Sequence, residues 1–161
     1  MSGLSTGFES AEESPGLLLW QVTNRWQAAQ RAALKPHGLT HVQFVLLASL
    51  TWLEGTAGEP VTQRALADHA VTDPMMTSQV LRVLEERGLL VRRPHPRDAR
   101  ARALSATPEG RDLANRAVAS VEACDEEFFA VLGEDLPWFA GSLRTLRGVP
   151  GTDGKGGKGT D

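Results

Sequence analysis

Cysteine is almost missing from this chain: Cys124 stands alone among 161 residues, so no second thiol exists for an internal disulfide. It also has no neighbouring ligand set for zinc, which argues against a metal framework. Long apolar runs are missing too. None approaches the roughly 18 residues that a membrane span needs. The opening MSGLSTGFESAEES is acidic and lacks the basic and apolar regions of a secretory signal. A soluble, cytoplasmic protein with no membrane partner is expected. Catalytic patterns are equally scarce. His37, His41, His69 and His95 lie in different segments, none in a two-histidine metal spacing, and neither a Gly-rich phosphate loop nor a serine elbow occurs. Asp68 with His69 reads as a solvated helix-surface pair. No catalytic residue, metal or cofactor is expected, and the chain does not read as an enzyme.

What the chain does have is a local excess of positive charge. The formal net charge is −3, yet Thr62 to Leu104 holds eight arginines (64, 82, 87, 92, 93, 97, 100 and 102) against Asp68, Asp73, Glu85, Glu86 and Asp98. That segment therefore carries +3 and the remainder −6. A basic patch on an acidic chain has a polyanion or an acidic membrane surface as its usual partner. With 41% hydrophobic content over this length, one domain with a real core is expected.

Residues 1–13 read as a flexible polar lead. Ser14 and Pro15 offer an N-cap and a first helical position for a helix reaching Leu34. In it Leu19, Val22, Trp26, Ala29 and Ala33 recur at helical spacing, while Leu17, Leu18 and Trp20 widen the apolar stripe beyond one face and suggest a partner surface. Lys35 to Gly38 break the helix. Thr40 and Gln43 form a capping box for VQFVLLASLTWLE, apolar nearly all round and expected to be the buried central helix. Val61 and Thr62 can pair briefly as a strand before Thr62 caps the short helix QRALADHA.

The next helix, in VTDPMMTSQVLRVLEERG, has Asp73 as N-cap, Pro74 at its first position and Gly88 to end it. At 100° per residue, Met76, Val80, Val83 and Leu84 fall toward the expected core, and Met75, Ser78, Gln79 and Arg82 fall opposite. Arg can take a guanine bidentately, Ser and Gln can bond base edges, and a Met thioether can lie against a thymine methyl. An ordinary solvent face is the competing reading. Two short helices joined by a tight turn make a helix-turn-helix, whose second helix reads the major groove. LLVRRP and RALSAT alternate as strands around the turn HPRDARA and form a β-hairpin wing. Arg97, Arg100 and Arg102 on it can lie along phosphates or in a narrow minor groove, while Arg92 and Arg93 alternate, so that one faces phosphate and the other points away.

Thr107 and Pro108 open a long helix with a stripe of Leu113, Ala117, Val121, Cys124, Phe128, Val131 and Leu132. Gly133 is placed to end it, and Glu122, Asp125, Glu126 and Glu127 are expected on its solvent face. LPWFAGSLRTLR follows as a final helix whose Trp138, Phe139, Leu143 and Leu146 lack an obvious home in a small monomer core. From residue 148 the Gly-rich tail is expected to be disordered.

The runs EERGLLVRR, PRDARA and LSATPEG resemble the recognition-helix end, wing and following helix start of MarR-type regulators, across roughly residues 15 to 146. The most specific part is Asp98-x-Arg100 followed by Thr107-Pro-Glu-Gly110. The resemblance implies a mainly α fold with a small β-hairpin wing: a winged helix-turn-helix lobe at 40–106, with N- and C-terminal dimerisation helices at 14–36 and 107–147, all in one domain. It implies a homodimer that binds double-stranded DNA, through Met75, Thr77, Ser78, Gln79, Arg82, Arg92, Arg93, Arg97, Arg100 and Arg102. Asp98 is similar to the aspartate that braces the wing. Leu17, Leu18, Trp20, Trp138, Phe139, Leu143 and Leu146 would pair the subunits.

Some members of that family sense oxidants through a first-helix cysteine near tyrosines; this chain has no Tyr, and Cys124 reads as a buried structural thiol. Others bind small aromatic acids, for which Trp20, Trp26, His41 and Trp52 are candidate liners, with core or dimer packing as the competing role. The expected function is a sequence-specific transcriptional regulator, a repressor of a pseudo-palindromic operator released by a small aromatic effector. A cysteine-based redox sensor and a winged-helix protein-interaction module without DNA binding stay open as alternatives.

Overall fold

The computed structural model describes residues 5–148, so the tail from residue 149, expected to be disordered, lies outside the described residues, as does the lead at 1–4. Six helices and three strands follow in the order α1 (Pro15–Leu34), α2 (His41–Thr56), β1 (Val61–Thr62), α3 (Gln63–Ala70), α4 (Pro74–Glu86), β2 (Leu90–Pro94), β3 (Arg102–Ala106), α5 (Pro108–Phe129) and α6 (Leu136–Arg147). Short 3-10 turns stand at Ala11–Glu13, Lys35–His37 and Ala130–Asp135. The chain forms two compact units that part between Asp125 and Glu126, inside α5.

Local chemistry starts each helix where the side chains allow it. The Ser14 hydroxyl accepts from Leu17 N at 3.3 Å. Thr40 and Gln43 cap each other reciprocally, and the Asp73 carboxylate accepts from Met76 N at 2.9 Å. Each such cap stabilises a helix by about 1 kcal/mol. In the first unit, α2 runs through the core: Leu46, Leu47 and Leu50 are fully buried against Leu34, Leu66, Leu81, Leu84 and Leu90. Its far end is not buried all round, because Trp52 is 66% exposed.

The three strands form one antiparallel sheet in the order β1-β3-β2, with Val61 opposite Leu104, Leu90 opposite Ala106 and Pro94 opposite Arg102. Leu90, Leu104 and Ala106 turn inward and anchor the hairpin. The far end of the hairpin, residues 95–101, projects with its arginines.

Several residues fall elsewhere than their spacing predicts. The inward face of α4 is centred on Thr77, Leu81 and Leu84, while Met76 and Val83 lie on its flank and are substantially exposed. A core-facing threonine is the cause, since an apolar count alone rotates the stripe toward Met76. On α1, Leu19 and Val22 are exposed along with Leu17, Leu18 and Trp20, so burial begins only near Trp26. Finally, α5 ends at Phe129, and Val131, expected on its stripe, is 89% exposed in the 3-10 turn that follows. Gly133 breaks that turn with φ 50° and ψ −122°. In the second unit Phe129 meets Phe128 edge to face at 5.1 Å and Phe139 at 5.9 Å, so Phe139 has a home in its own unit. Trp138, Leu143 and Leu146 stay exposed.

Candidate nucleic-acid interface

The turn between α3 and α4 is tight because Val71 adopts a left-handed conformation, φ 51° and ψ 50°. For a β-branched residue this conformation costs about 1–2 kcal/mol. Thr72 and Thr77 offset part of it: their hydroxyls bond at 2.7 Å, and Thr77 also donates to Asp73 O at 2.8 Å. Thr77, expected to touch DNA, is therefore fully buried and acts as the pin of the turn. Pinning α4 this way turns Met75, Gln79 and Arg82 to solvent, with Ser78 half-buried beside them. Met75 is 72% exposed, an unusual position for a large apolar side chain.

The wing is built on backbone bonds. Asp98 Oδ1 accepts from Arg100 N at 2.9 Å and Asp98 O from Ala101 N at 3.1 Å, so Asp98 braces the turn through the main chain. His95 completes it: its Nδ1 accepts from Arg97 N at 3.2 Å and Asp98 N at 3.1 Å. Arg93, Arg97, Arg100 and Arg102 are exposed. Arg97 approaches Glu59 at 3.5 Å, but both side chains are well exposed, and such a pair contributes little. Arg92 differs. Its Nε lies 3.1 Å from Glu85 Oε2 as an ion pair, without the alignment of a hydrogen bond, and its NH1 donates to Gln63 Oε1 at 3.3 Å. Of the two alternating arginines, Arg92 ties β2 to α3 and α4, and Arg93 is the exposed one.

The Thr-Pro-Glu-Gly stretch that opens α5 welds that helix to the start of the wing. Thr107 Oγ1 donates to Gly88 O at 2.7 Å and accepts from Gly110 N at 3.1 Å, while Thr107 N donates to Leu89 O at 3.1 Å. A Cβ at Gly110 would stand 1.9 Å from Leu89 O, so only glycine permits this approach. Glu54, near the end of α2, accepts from Ser105 Oγ at 2.5 Å, Ala106 N at 3.2 Å and Arg111 NH2 at 3.3 Å. One carboxylate thereby joins α2, β3 and α5.

The four candidate effector liners do not converge. Trp26 and His41 meet edge to face at 5.0 Å. Asp125, expected on the solvent face of α5, turns inward and accepts from Trp26 Nε1 at 2.7 Å and Gln30 Nε2 at 2.6 Å. Trp52 lies 11 residues beyond His41 on the same helix, about 16 Å along its axis. It flanks a separate groove of about 460 Å³ between α2 and α5, floored by Ala48, Ala114 and Val118. Trp20 is exposed on the N-terminal half of α1.

Residues 39–101 match the MarR family. The chain is 44% identical over 140 residues to the uncharacterized HTH-type transcriptional regulator YdcH of Bacillus subtilis, covering 87% of this chain and 95% of that protein. The chain belongs to the MarR family.

Other MarR-type proteins resemble it as well. The HTH-type transcriptional repressor Rv2887 of Mycobacterium tuberculosis is 36% identical over 123 residues, 76% of this chain and 85% of that protein. Its structure in complex with DNA superposes with a TM-score of 0.62 at 32% identity, over 83% of this chain and 97% of that one. A further structure shows Rv2887 in complex with p-aminosalicylic acid, at 33% identity and a TM-score of 0.63, over 83% of this chain and 98% of that one. CouR of Rhodococcus jostii, bound to p-coumaroyl-CoA, superposes with a TM-score of 0.76 at 29% identity, over 89% of this chain and 98% of that one. The protein is thus a winged-helix, DNA-binding transcriptional regulator of the MarR family. Among the described residues no helix is long and apolar enough to cross a membrane.

Sequence reasoning about this MarR chain missed Asp125, His95 and Glu54, whose roles come from partners far along the chain or from the wing's backbone. His41 carries a consequence for stability. Burial pushes its imidazole below the ordinary value of 6.5, opposed by Asp125 and helped by Arg31. The unfolded chain therefore takes up this proton first as pH falls, so stability is expected to decline below about pH 6.5 and to level once the folded imidazole is protonated as well. Denaturant midpoints measured from about pH 7.5 to 5 should show a shallower decline in His41→Gln. Equal declines in both proteins would mean that a group other than His41 takes up the proton.

Proposed function

We propose that the protein is a homodimeric repressor that binds a pseudo-palindromic operator and releases it when a small ligand binds. The observation that carries this reading is the shared exposure of Met75, Gln79 and Arg82 on α4 with Arg93, Arg97, Arg100 and Arg102 on the wing. One helix face offers base-reading chemistry, and the adjacent hairpin offers phosphate-binding charge. A second copy would bury the apolar residues left exposed on α1 (Leu17, Leu18 and Trp20) and on α6 (Trp138, Leu143 and Leu146). Two recognition helices about 34–36 Å apart would then enter successive major grooves. A ligand that prefers another separation lowers operator affinity by its differential binding to the two states. The small molecules bound to Rv2887 and CouR support a ligand-responsive reading for this chain.

Selection from random duplex DNA tests the proposal. A pseudo-palindromic winner bound by a dimer is expected. Within that site, Arg100→Ala should weaken binding to all sequences alike, whereas Gln79→Ala and Arg82→Ala should change which bases are preferred, each by about 1–3 kcal/mol of discrimination. Uniform loss from all three variants would refute the division into base readers and phosphate binders. No enrichment of any sequence would leave a winged-helix scaffold for another acidic partner.

A further inference from the structure

The groove between α2 and α5 has a polarity that selects its occupant, and we propose that it binds a flat organic cation, an aromatic amine, in preference to an aromatic acid. Its hydroxyl and carboxylate groups present oxygens. The Thr51 hydroxyl donates to Leu47 O at 2.9 Å and the Thr56 hydroxyl to Trp52 O at 2.9 Å, so each offers the groove only lone pairs. Asn115 engages one amide N–H with Arg111 O at 2.9 Å, which leaves it a carbonyl oxygen and a second N–H. Glu122 adds a carboxylate, and no Lys, Arg or His is found among the described residues that line the groove. Of the two basic residues nearest in sequence to Asn115, Arg111 is engaged by Glu54 and Arg116 turns its Nε to Asp112 O at 3.4 Å; neither lines the groove.

Shape agrees with charge. The volume of about 460 Å³ falls in the range of small-molecule sites. Trp52, 66% exposed, offers an indole face on which a ring can stack and over which a cation is attracted. An ammonium group set toward Glu122, with its ring on Trp52, meets a carboxylate and the hydroxyl lone pairs of Thr51 and Thr56. A carboxylate in the same place would face Glu122 with no positive partner in the lining, which Coulomb repulsion and desolvation both disfavour. The proposal depends on the ligand-responsive reading only for its consequence at the operator, and binding itself can be measured without DNA.

Calorimetric titration of the full chain with tryptamine and with indolepropionate compares one ring bearing opposite charges. Tryptamine should bind about tenfold more tightly. Glu122→Gln should abolish that preference, and Trp52→Ala should weaken tryptamine by about fivefold; both residues are exposed, so folding is preserved. Equal or tighter binding of indolepropionate would overturn the proposal, as would absence of tryptamine binding or a preference that survives Glu122→Gln. Operator affinity measured with and without tryptamine separates the two readings. Tryptamine bound through Glu122 without any change at the operator would uphold the site and overturn ligand-driven release through it.

Discussion

Gly110→Ala is expected to destabilise the first unit by about 3 kcal/mol or more, the upper end of what overpacking costs. The added methyl would stand 1.9 Å from Leu89 O and 2.9 Å from Leu89 C, and both are backbone atoms that cannot rotate aside like a side-chain tip. Leu89 cannot yield easily, because its N donates to Leu84 O at 2.9 Å and its O accepts from Thr107 N at 3.1 Å. Relief therefore requires α5 to lift from the strand, breaking the bonds of Thr107 to Gly88 and Gly110 and disturbing the pairing of Leu90 with Ala106. Gly16→Ala is the matched control: it lies in α1 with nothing near its absent Cβ, and should be neutral or stabilising by up to about 1 kcal/mol. Urea denaturation followed by helical signal reads both. A loss below about 1 kcal/mol at Gly110 would mean that α5 tolerates a wider approach to Leu89.

Much of this architecture is written locally. Ser14, Thr40 and Asp73 with their prolines or capping partners mark helix starts, and the alternation around Leu90 and Leu104 marks the wing. Local patterns fail where a polar residue turns inward because a partner, near or far along the chain, satisfies it. Thr77 looks like a surface threonine until Thr72 and Asp73 O satisfy its hydroxyl, and its inward turn rotates the whole of α4. Asp125 looks like one acid in a solvated run, yet Trp26, 99 positions away, supplies its partner. No periodicity encodes such a pairing. The Gly of Thr-Pro-Glu-Gly was legible as a motif, but its reason, a backbone contact with Leu89, required the packed strand. Among the candidate site residues the wing arginines held their expected exposure, because charge itself keeps them in water. Arg92 departed from the set because Glu85 and Gln63 lie across from it.

The same contacts relate the groove to the wing. Asn115 and Glu122 sit on α5, and Trp52 sits on α2 two residues before Glu54. Glu54 joins that end of α2 to β3 and to Arg111 of α5, and the opposite end of β3 carries Arg102. A ligand that changes the spacing of α2 and α5 thus acts on a carboxylate bonded to the strand that leads to the wing arginines. Coupling of this kind requires two discrete arrangements that the ligand and the operator bind unequally.

Replacing Arg97, Arg100 and Arg102 together with alanine is expected to give the largest functional loss in the protein. In a two-fold dimer this removes six positive charges from the proposed phosphate-binding surface. Each phosphate contact contributes about 0.9 to the slope of log affinity against log salt, so the slope should fall by about five, and affinity near physiological salt by at least about a thousandfold. The three side chains are exposed and the turn is held by the backbone bonds of His95 and Asp98, so the fold should survive their removal. Arg92→Ala provides the contrast. Its guanidinium is held by Glu85 and Gln63, so its loss should appear mainly as about 1 kcal/mol of stability, with little change in the salt slope. Filter binding to a fixed duplex from about 50 to 200 mM salt separates the cases. A slope unchanged by the triple substitution would place the phosphate contacts elsewhere and make the wing a structural hairpin, whereas a slope that falls with Arg92→Ala would show that DNA draws Arg92 away from Glu85.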